Sequence, residues 1–168
     1  VKFYTKFLYN RAEKIIVPSE GVYEILTWMK VKTKKDIVNL GVDTEFFKSE
    51  KNNIKKQLGV NNKLVIGYHG RISREKDLTT LLRAFVRIKR KYENTVLLII
   101  GEGVKNIEKK LDSTEGVILT GARADVNRYL NAIDIYVMPS LTETTCLSVL
   151  EAMSTKLPVI SSPVGYVQ

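Results

Sequence analysis

Six short apolar runs, each separated from the next by polar or amphipathic sequence, most constrain what this chain can fold into. They are KIIV (14–17), KLVIGY (63–68), TVLLII (95–100), GVILTG (116–121), IDIYVM (133–138) and LPVISS (157–162). Rich in Val and Ile and mostly uninterrupted, they read as strands buried on both faces. Helical patterns lie between them. The clearest follows Asp77, a candidate N-cap: Leu78, Leu81, Leu82, Phe85 and Tyr92 mark one face, and Arg83, Arg87 and Arg90 fall elsewhere. IKKQLG (54–59) ends on Gly59, which suits the residue after a helix, and KNIEKKL (105–111) and DVNRYLNA (125–132) are shorter helical stretches. The β-α-β-α order predicts an α/β fold, a Rossmann-like parallel sheet with helices on both faces.

Residues 36–47, DIVNLGVDTEFF, break this rhythm. The expected organisation is a helix-strand-helix unit over 1–38, a linker over 39–47 and an alternating domain over 48–168. Its last strand has no closing helix, so the domain is expected to be incomplete at its C-terminal side. The chain has one cysteine, Cys146, and one histidine, His69. That excludes an internal disulfide and disfavours a zinc site, which needs several such ligands. No apolar run approaches the roughly 18 residues of a spanning helix. The net charge of +9 suits nucleic acid, an anionic membrane or a phosphorylated small molecule. Its dispersal, as in KVKTKK (30–35), suits a solvated surface instead, and without interleaved aromatics no nucleic-acid partner is expected.

In open α/β sheets, ligands bind beyond the carboxyl ends of the strands, so the segments that follow the strands carry the functional reading. HGRISREKD follows the KLVIGY run. Gly70 permits a tight turn and close approach of a ligand. Arg71 and Lys76 either converge on a diphosphate or are surface charges, with Arg71 paired to Glu75 or Asp77. GEG (101–103) is no phosphate-loop motif and reads as a strand-to-helix turn. PSLTETTCLSVLEAM (139–153) follows IDIYVM. A helix starting near Thr145 would aim its amides and positive end at an anion. Glu143 would stand at or just before that start and Glu151 about two turns inside. Glu143 and Glu151 then either grip hydroxyls at opposite ends of one long ligand or are, respectively, a favourable first-turn acid and a solvated helix residue. Glu151 lies in an apolar stretch where a charge needs a partner. Cys146 reads as a small packing residue, and His69 as a histidine satisfied at a strand end rather than a phosphate ligand.

Five segments in order resemble the glycosyltransferase family 4 enzymes, retaining transferases of GT-B fold. RAEKIIVPS (11–19) is similar to the last strand of that family's N-terminal domain and NLGVDTEFF (39–47) to its interdomain linker. HGRISREKD resembles its G-R-x-x-x-x-K element, and IDIYVMPSLTE with the following stretch its E-x₇-E region, continued by LPVISSPVG (157–165). The chain would then be the C-terminal, donor-binding half of a GT-B enzyme with the end of the N-terminal domain attached, inactive alone.

The resemblance implies a UDP- or GDP-sugar donor, with no cofactor and no obligatory metal. Arg71 and Lys76, after Gly70, would hold the diphosphate. Glu143 would contact the transferred sugar, and Arg71, Lys76 and Glu143 would form the catalytic set. The amides of Thr144, Thr145, Cys146 and Leu147 would contact sugar and phosphate, and Glu151 would hold the ribose. The acceptor is left open among a glycan, a lipid or a small molecule, and location between the cytoplasm and the inner face of a membrane. A nucleotide-sugar epimerase of the same fold and a non-catalytic binding module are the alternatives. The chain departs from the family at Thr145-Cys146, where Phe-Gly is frequent, and at Lys156 and Tyr166, where glycine is common.

Overall fold

The computed structural model describes residues 2–165, so Tyr166 lies outside the described residues. The first unit holds helix α1 (Lys2–Tyr9), strand β1 (Ile15–Val17), helix α2 (Glu20–Trp28) and strand β2 (Lys35–Ile37). β1 and β2 form a two-stranded parallel sheet. Ser19 caps α2 by accepting from the Val22 amide at 3.2 Å, and Val17, Leu26 and Val31 form a small core.

Five further strands form a second, parallel sheet. They are β3 (Leu64–His69), β4 (Thr95–Ile100), β5 (Val117–Leu119), β6 (Ile135–Met138) and β7 (Val159–Ser161), in the order β5-β4-β3-β6-β7. Helices α3 (Ile54–Gln57), α4 (Leu78–Lys91), α5 (Lys105–Asp112), α6 (Val126–Leu130) and α7 (Leu147–Ser154) alternate with them. The predicted α/β sheet with helices on both faces is thus present. β4 shows why the strands read as unbroken apolar runs: all six of its residues are buried. Val96, Leu98 and Ile100 point into the core with Leu130, Tyr136 and Val149, while Leu97 and Ile99 point into the opposite core with Leu78, Leu81 and Phe85. Period-two alternation between two apolar layers leaves no polar face for the strand to show.

Helix α4 buries Leu78, Leu81, Leu82 and Phe85. Tyr92, expected on that face, instead follows the helix as its C-cap and is 56% exposed, because the chain turns there towards β4. Asp77 is the N-cap, with its carboxylate accepting from the Thr80 amide at 3.3 Å, and it takes a left-handed conformation (φ 42°, ψ 43°). Among non-glycine residues, Asn and Asp tolerate that region best. Asp77→Asn should leave stability within about 0.5 kcal/mol. Asp77→Ala, losing the cap and that tolerance, should cost about 1–2 kcal/mol in urea unfolding; equal stability of the two variants would refute this account.

Candidate functional site

The order β5-β4-β3-β6-β7 puts β3 and β6 side by side at the centre. The chain leaves β3 towards β4 on one side, and β6 towards β7 on the other. Loops that diverge in this way leave a crevice at the carboxyl end of the sheet, and the candidate residues sit around it.

The loop after β3 is built against the loop after β4. The Ile72 amide donates to Glu102 O at 2.9 Å, and the Val104 amide donates back to Ile72 O at 2.8 Å. The glycines of GEG make this approach possible. A Cβ on Gly101 would stand 2.0 Å from Gly70 O, and one on Gly103 would stand 2.0 Å from Ile72 O. Their reason is the neighbouring backbone, not the turn that the sequence suggested. Gly70 itself has φ 135°, open to glycine and strained for other residues. Below it the buried Tyr68 donates its hydroxyl to Arg71 O at 3.0 Å. Burial, seconded by the charge of Tyr136 and of Glu143 and Glu75, pushes that phenol far above its ordinary range, so it remains a donor and anchors the backbone of Arg71. The Arg71 guanidinium is 75% exposed and lies 3.8 Å from Glu75. So loose a surface pair contributes little and leaves the fork able to turn to a ligand.

A 3₁₀ turn, Arg74–Lys76, follows. It carries Lys76 across to the loop after β6, where Nζ donates to Glu143 Oε1 at 2.5 Å. The two side chains are 20% and 13% exposed. The Leu141 amide donates to Glu75 O at 2.8 Å, a second bond between the same two segments. Within the loop after β6, the buried Ser140 donates its hydroxyl to Glu143 Oε1 at 2.7 Å. The acid is thus held from both sides of the crevice at one oxygen, and among the described residues no side chain bonds Oε2 of Glu143. Lys76 is not the surface charge that one sequence reading allowed. Ser140, which the sequence did not single out, organises the acid.

Helix α7 begins at Leu147, two residues later than expected near Thr145. At Cys146 (φ −72°, ψ 62°) the chain makes an inverse γ-turn, and the Leu147 amide bonds Thr145 O at 2.7 Å. Packing holds this turn. Cys146 is buried and its thiol donates to Val164 O at 3.2 Å. Gly165, with φ 63°, lies so close that a Cβ there would stand 3.0 Å from Cys146 Sγ and 3.3 Å from Glu143 Cβ. The segment after β7 thus forms one wall of the site. The Pro-Val-Gly that ends the last strand segment was the available signal for it.

Glu151 lies in α7 and its carboxylate Oε2 bonds His69 Nε2. This is the partner that a charge in an apolar stretch requires. His69 ends β3 and is 7% exposed. Its ring stands 5.4 Å from the ring of the buried Tyr136, whose hydroxyl donates to His69 O at 3.3 Å. Burial raises the Tyr136 phenol well above its usual range, and the charges of both Glu151 and Glu143 push it further the same way. Both carboxylates therefore bear on this one side chain, which lies within β6. An ammonium, an exposed guanidinium and two carboxylates fixed at one oxygen each can receive a ligand that carries both phosphate and hydroxyls. Among the described residues, no group of three His, Cys, Asp or Glu could hold a metal ion.

Residues 63–168 match the family described as glycosyl transferases group 1. The chain is 28% identical, over 96% of its length, to an alpha-monoglucosyldiacylglycerol synthase of Streptococcus pneumoniae and covers 40% of that protein. It is 31% identical, over 95% of its length, to the sulfoquinovosyl transferase SQD2 of Arabidopsis thaliana, covering 32% of it. The chain thus spans less than half the length of these relatives. Its fold is similar to that of Anabaena Alr3699/HepE, solved in complex with UDP and glucose (TM-score 0.84, 21% identity, 98% of this chain and 48% of that one). It is also similar to the C-terminal domain of a glycosyl transferase group 1 family protein, LpcC, from Francisella tularensis (TM-score 0.64, 29% identity, 73% of this chain and 71% of that one). With a family match that takes in the whole five-stranded sheet and both faces of the crevice, the chain belongs to the glycosyl transferases group 1 family.

Proposed function

We propose that this chain is the donor-binding part of a retaining glycosyltransferase of family 4, which moves a sugar from a nucleotide diphosphate to an acceptor hydroxyl. The observation that carries this reading is the fastening of Lys76 to Glu143 across the β3–β6 crevice, with Glu151 presented from α7 and bonded to His69 at the end of β3. Arg71 and Lys76 take the diphosphate, Glu143 meets the transferred sugar, the amides of residues 144–147 line the sugar and phosphate, and Glu151 takes the ribose. In the transfer, the bond from sugar C1 to the phosphate oxygen breaks and a bond from C1 to the acceptor oxygen forms on the same face. The hydroxyl proton leaves with the nucleotide diphosphate. The cations stabilise the charge that gathers on that leaving group, so no metal is required. Residues 1–38 are the end of the acceptor-side domain and 39–47 the linker. The family match does not favour an epimerase or a non-catalytic module.

Relatives named for glycolipid synthesis favour a membrane lipid as acceptor, with the basic surface against an anionic inner leaflet. Among the described residues, no helix is long and apolar enough to cross a membrane.

Calorimetry with UDP and with GDP tests the donor assignment. One of the two should bind, and Arg71→Ala should weaken it about tenfold, the usual worth of a hydrogen bond to a charged group. Absence of binding by both nucleotides at millimolar concentration would overturn the reading.

A further inference from the structure

We propose that His69 is the positioning residue of the second glutamate, and that through Glu151 it sets the preference for a ribose over a deoxyribose in the nucleotide. This rests on the assignment of Glu151 to the ribose made above.

Four observations point to it. First, His69 Nε2 meets Glu151 Oε2, and among the described residues no other side chain bonds that carboxylate. A carboxylate only accepts, so Nε2 carries the proton. Glu151 Oε1 is then the atom left for a ligand. Second, the backbone of His69 is fixed in the sheet and its ring is packed. His69 pairs with Ile100 in the sheet, its carbonyl accepts from the Tyr136 hydroxyl, and its ring packs beside the Tyr136 ring. Third, Nδ1 is buried without a hydrogen-bond partner among the described residues. An orphaned buried nitrogen is unfavourable, and an apolar side chain would avoid it, so the useful atom of this residue is Nε2. Fourth, Glu151 is a flexible side chain on a helix. Fixing one of its oxygens removes rotamer freedom that a ligand would otherwise have to remove.

His69 does not reach the nucleotide itself, because its ring is buried. It acts by presenting Glu151 in one rotamer, with Oε2 engaged and Oε1 left for the ligand. A site built to bond a hydroxyl rejects the analogue that lacks it, because its own polar group is then left unpaired. That discrimination requires the carboxylate to stay in place.

The test uses the full-length enzyme with whichever of UDP and GDP binds, together with its 2′-deoxy and 3′-deoxy counterparts. In the unaltered protein at least one deoxy form should bind about tenfold or more weakly. In H69F the parent nucleotide should weaken about tenfold and the deoxy forms much less, so that the preference collapses. The loss should sit in donor KM rather than kcat. H69Q, whose amide can still donate near the Nε2 position, should keep most of the preference. E151Q should lose it, and adding H69F to E151Q should change nothing further. Retention of the preference in H69F while E151Q loses it would overturn the role of His69 and leave Glu151 on the ribose. Retention in E151Q would overturn the ribose assignment and this proposal with it. Equal loss in H69F and H69Q would make the ring a packing element only. Should H69F fail to fold, nitrogen-15 spectra of this chain, which has a single histidine, decide the matter. A proton on Nε2 whose resonance moves in E151Q is expected, and a ring protonated on Nδ1 alone would overturn the proposal.

Discussion

Lys76→Ala in the full-length enzyme should lower sugar transfer by about 10²–10³-fold, the cost of removing one preorganised donor from a developing negative charge. Two losses combine in this variant. The leaving diphosphate loses an ammonium, and Glu143 loses the cation that holds its Oε1 at 2.5 Å. The acid is 13% exposed and would keep only the Ser140 hydroxyl, a poor match for a carboxylate so far removed from water. Lys76→Arg should recover little, because a planar fork at the end of a fixed 3₁₀ turn cannot reproduce a compact three-donor head. Glu143→Gln should also depress transfer, but with the opposite effect on the nucleotide. Lys76 then has no competing anion, so UDP or GDP should bind as tightly as before or more tightly. Initial rates and calorimetry on the same preparations separate the two variants. Unchanged turnover in Lys76→Ala would remove the lysine from the chemistry.

Gly103→Ala, like Gly101→Ala, should be among the most damaging single methyl additions in the chain, costing about 3 kcal/mol or more in urea unfolding, at the upper end of what one substitution does. Its Cβ would lie 2.0 Å from Ile72 O and 2.8 Å from the Ile72 carbonyl carbon. Those are backbone atoms, which cannot rotate aside. The loop over 70–73 would have to move, and with it the anchor of Arg71 and the turn that delivers Lys76, so nucleotide affinity should fall together with stability. Gly67→Ala meets the Ile133 side chain at 2.2 Å; a side chain can shift, so its cost should be smaller. Gly41, where an added methyl group would find no neighbour within 4 Å, is the control and should be nearly neutral on replacement by alanine. Stability of Gly103→Ala within about 0.5 kcal/mol of the parent, the range of ordinary surface changes, would refute the close-approach argument.

Where burial alone decides, the sequence is readable. TVLLII and strand β4 coincide at Thr95–Ile100, because a strand covered on both faces is apolar almost throughout, here from Val96 to Ile100. The α4 face was legible for the same reason, up to Tyr92, where the helix ends and the tyrosine no longer shares its turn. The start of α7 was not legible. Its two-residue delay depends on Cys146 packing against Gly165 and bonding Val164 O, contacts eighteen or more residues away that no helix-start pattern encodes. The positions of the candidate acids followed from strand order, yet their partners did not. Glu143 needs Ser140 nearby and Lys76 from another loop, and Glu151 needs His69 from another strand. Sequence reasoning recognised that Glu151 required a counterpart and that His69 could be satisfied at a strand end. It had no means to join residues separated by 82 positions. The glycines of GEG failed differently, since a local turn is sufficient to explain them until the neighbouring loop is visible.

The meeting of two donors at Glu143 Oε1 has an implication for how such chains can diverge. Lysine, glutamate and serine share one oxygen atom, so an ancestor that lost the lysine alone would strand an anion, and one that lost the glutamate alone would strand a cation. Change at these positions is tolerable when inherited as a set. Descendants that abandon the chemistry should therefore exchange the trio for uncharged residues together, whereas in those same descendants Arg71, loosely paired on the surface and with no diphosphate left to bind, is at liberty to drift by itself.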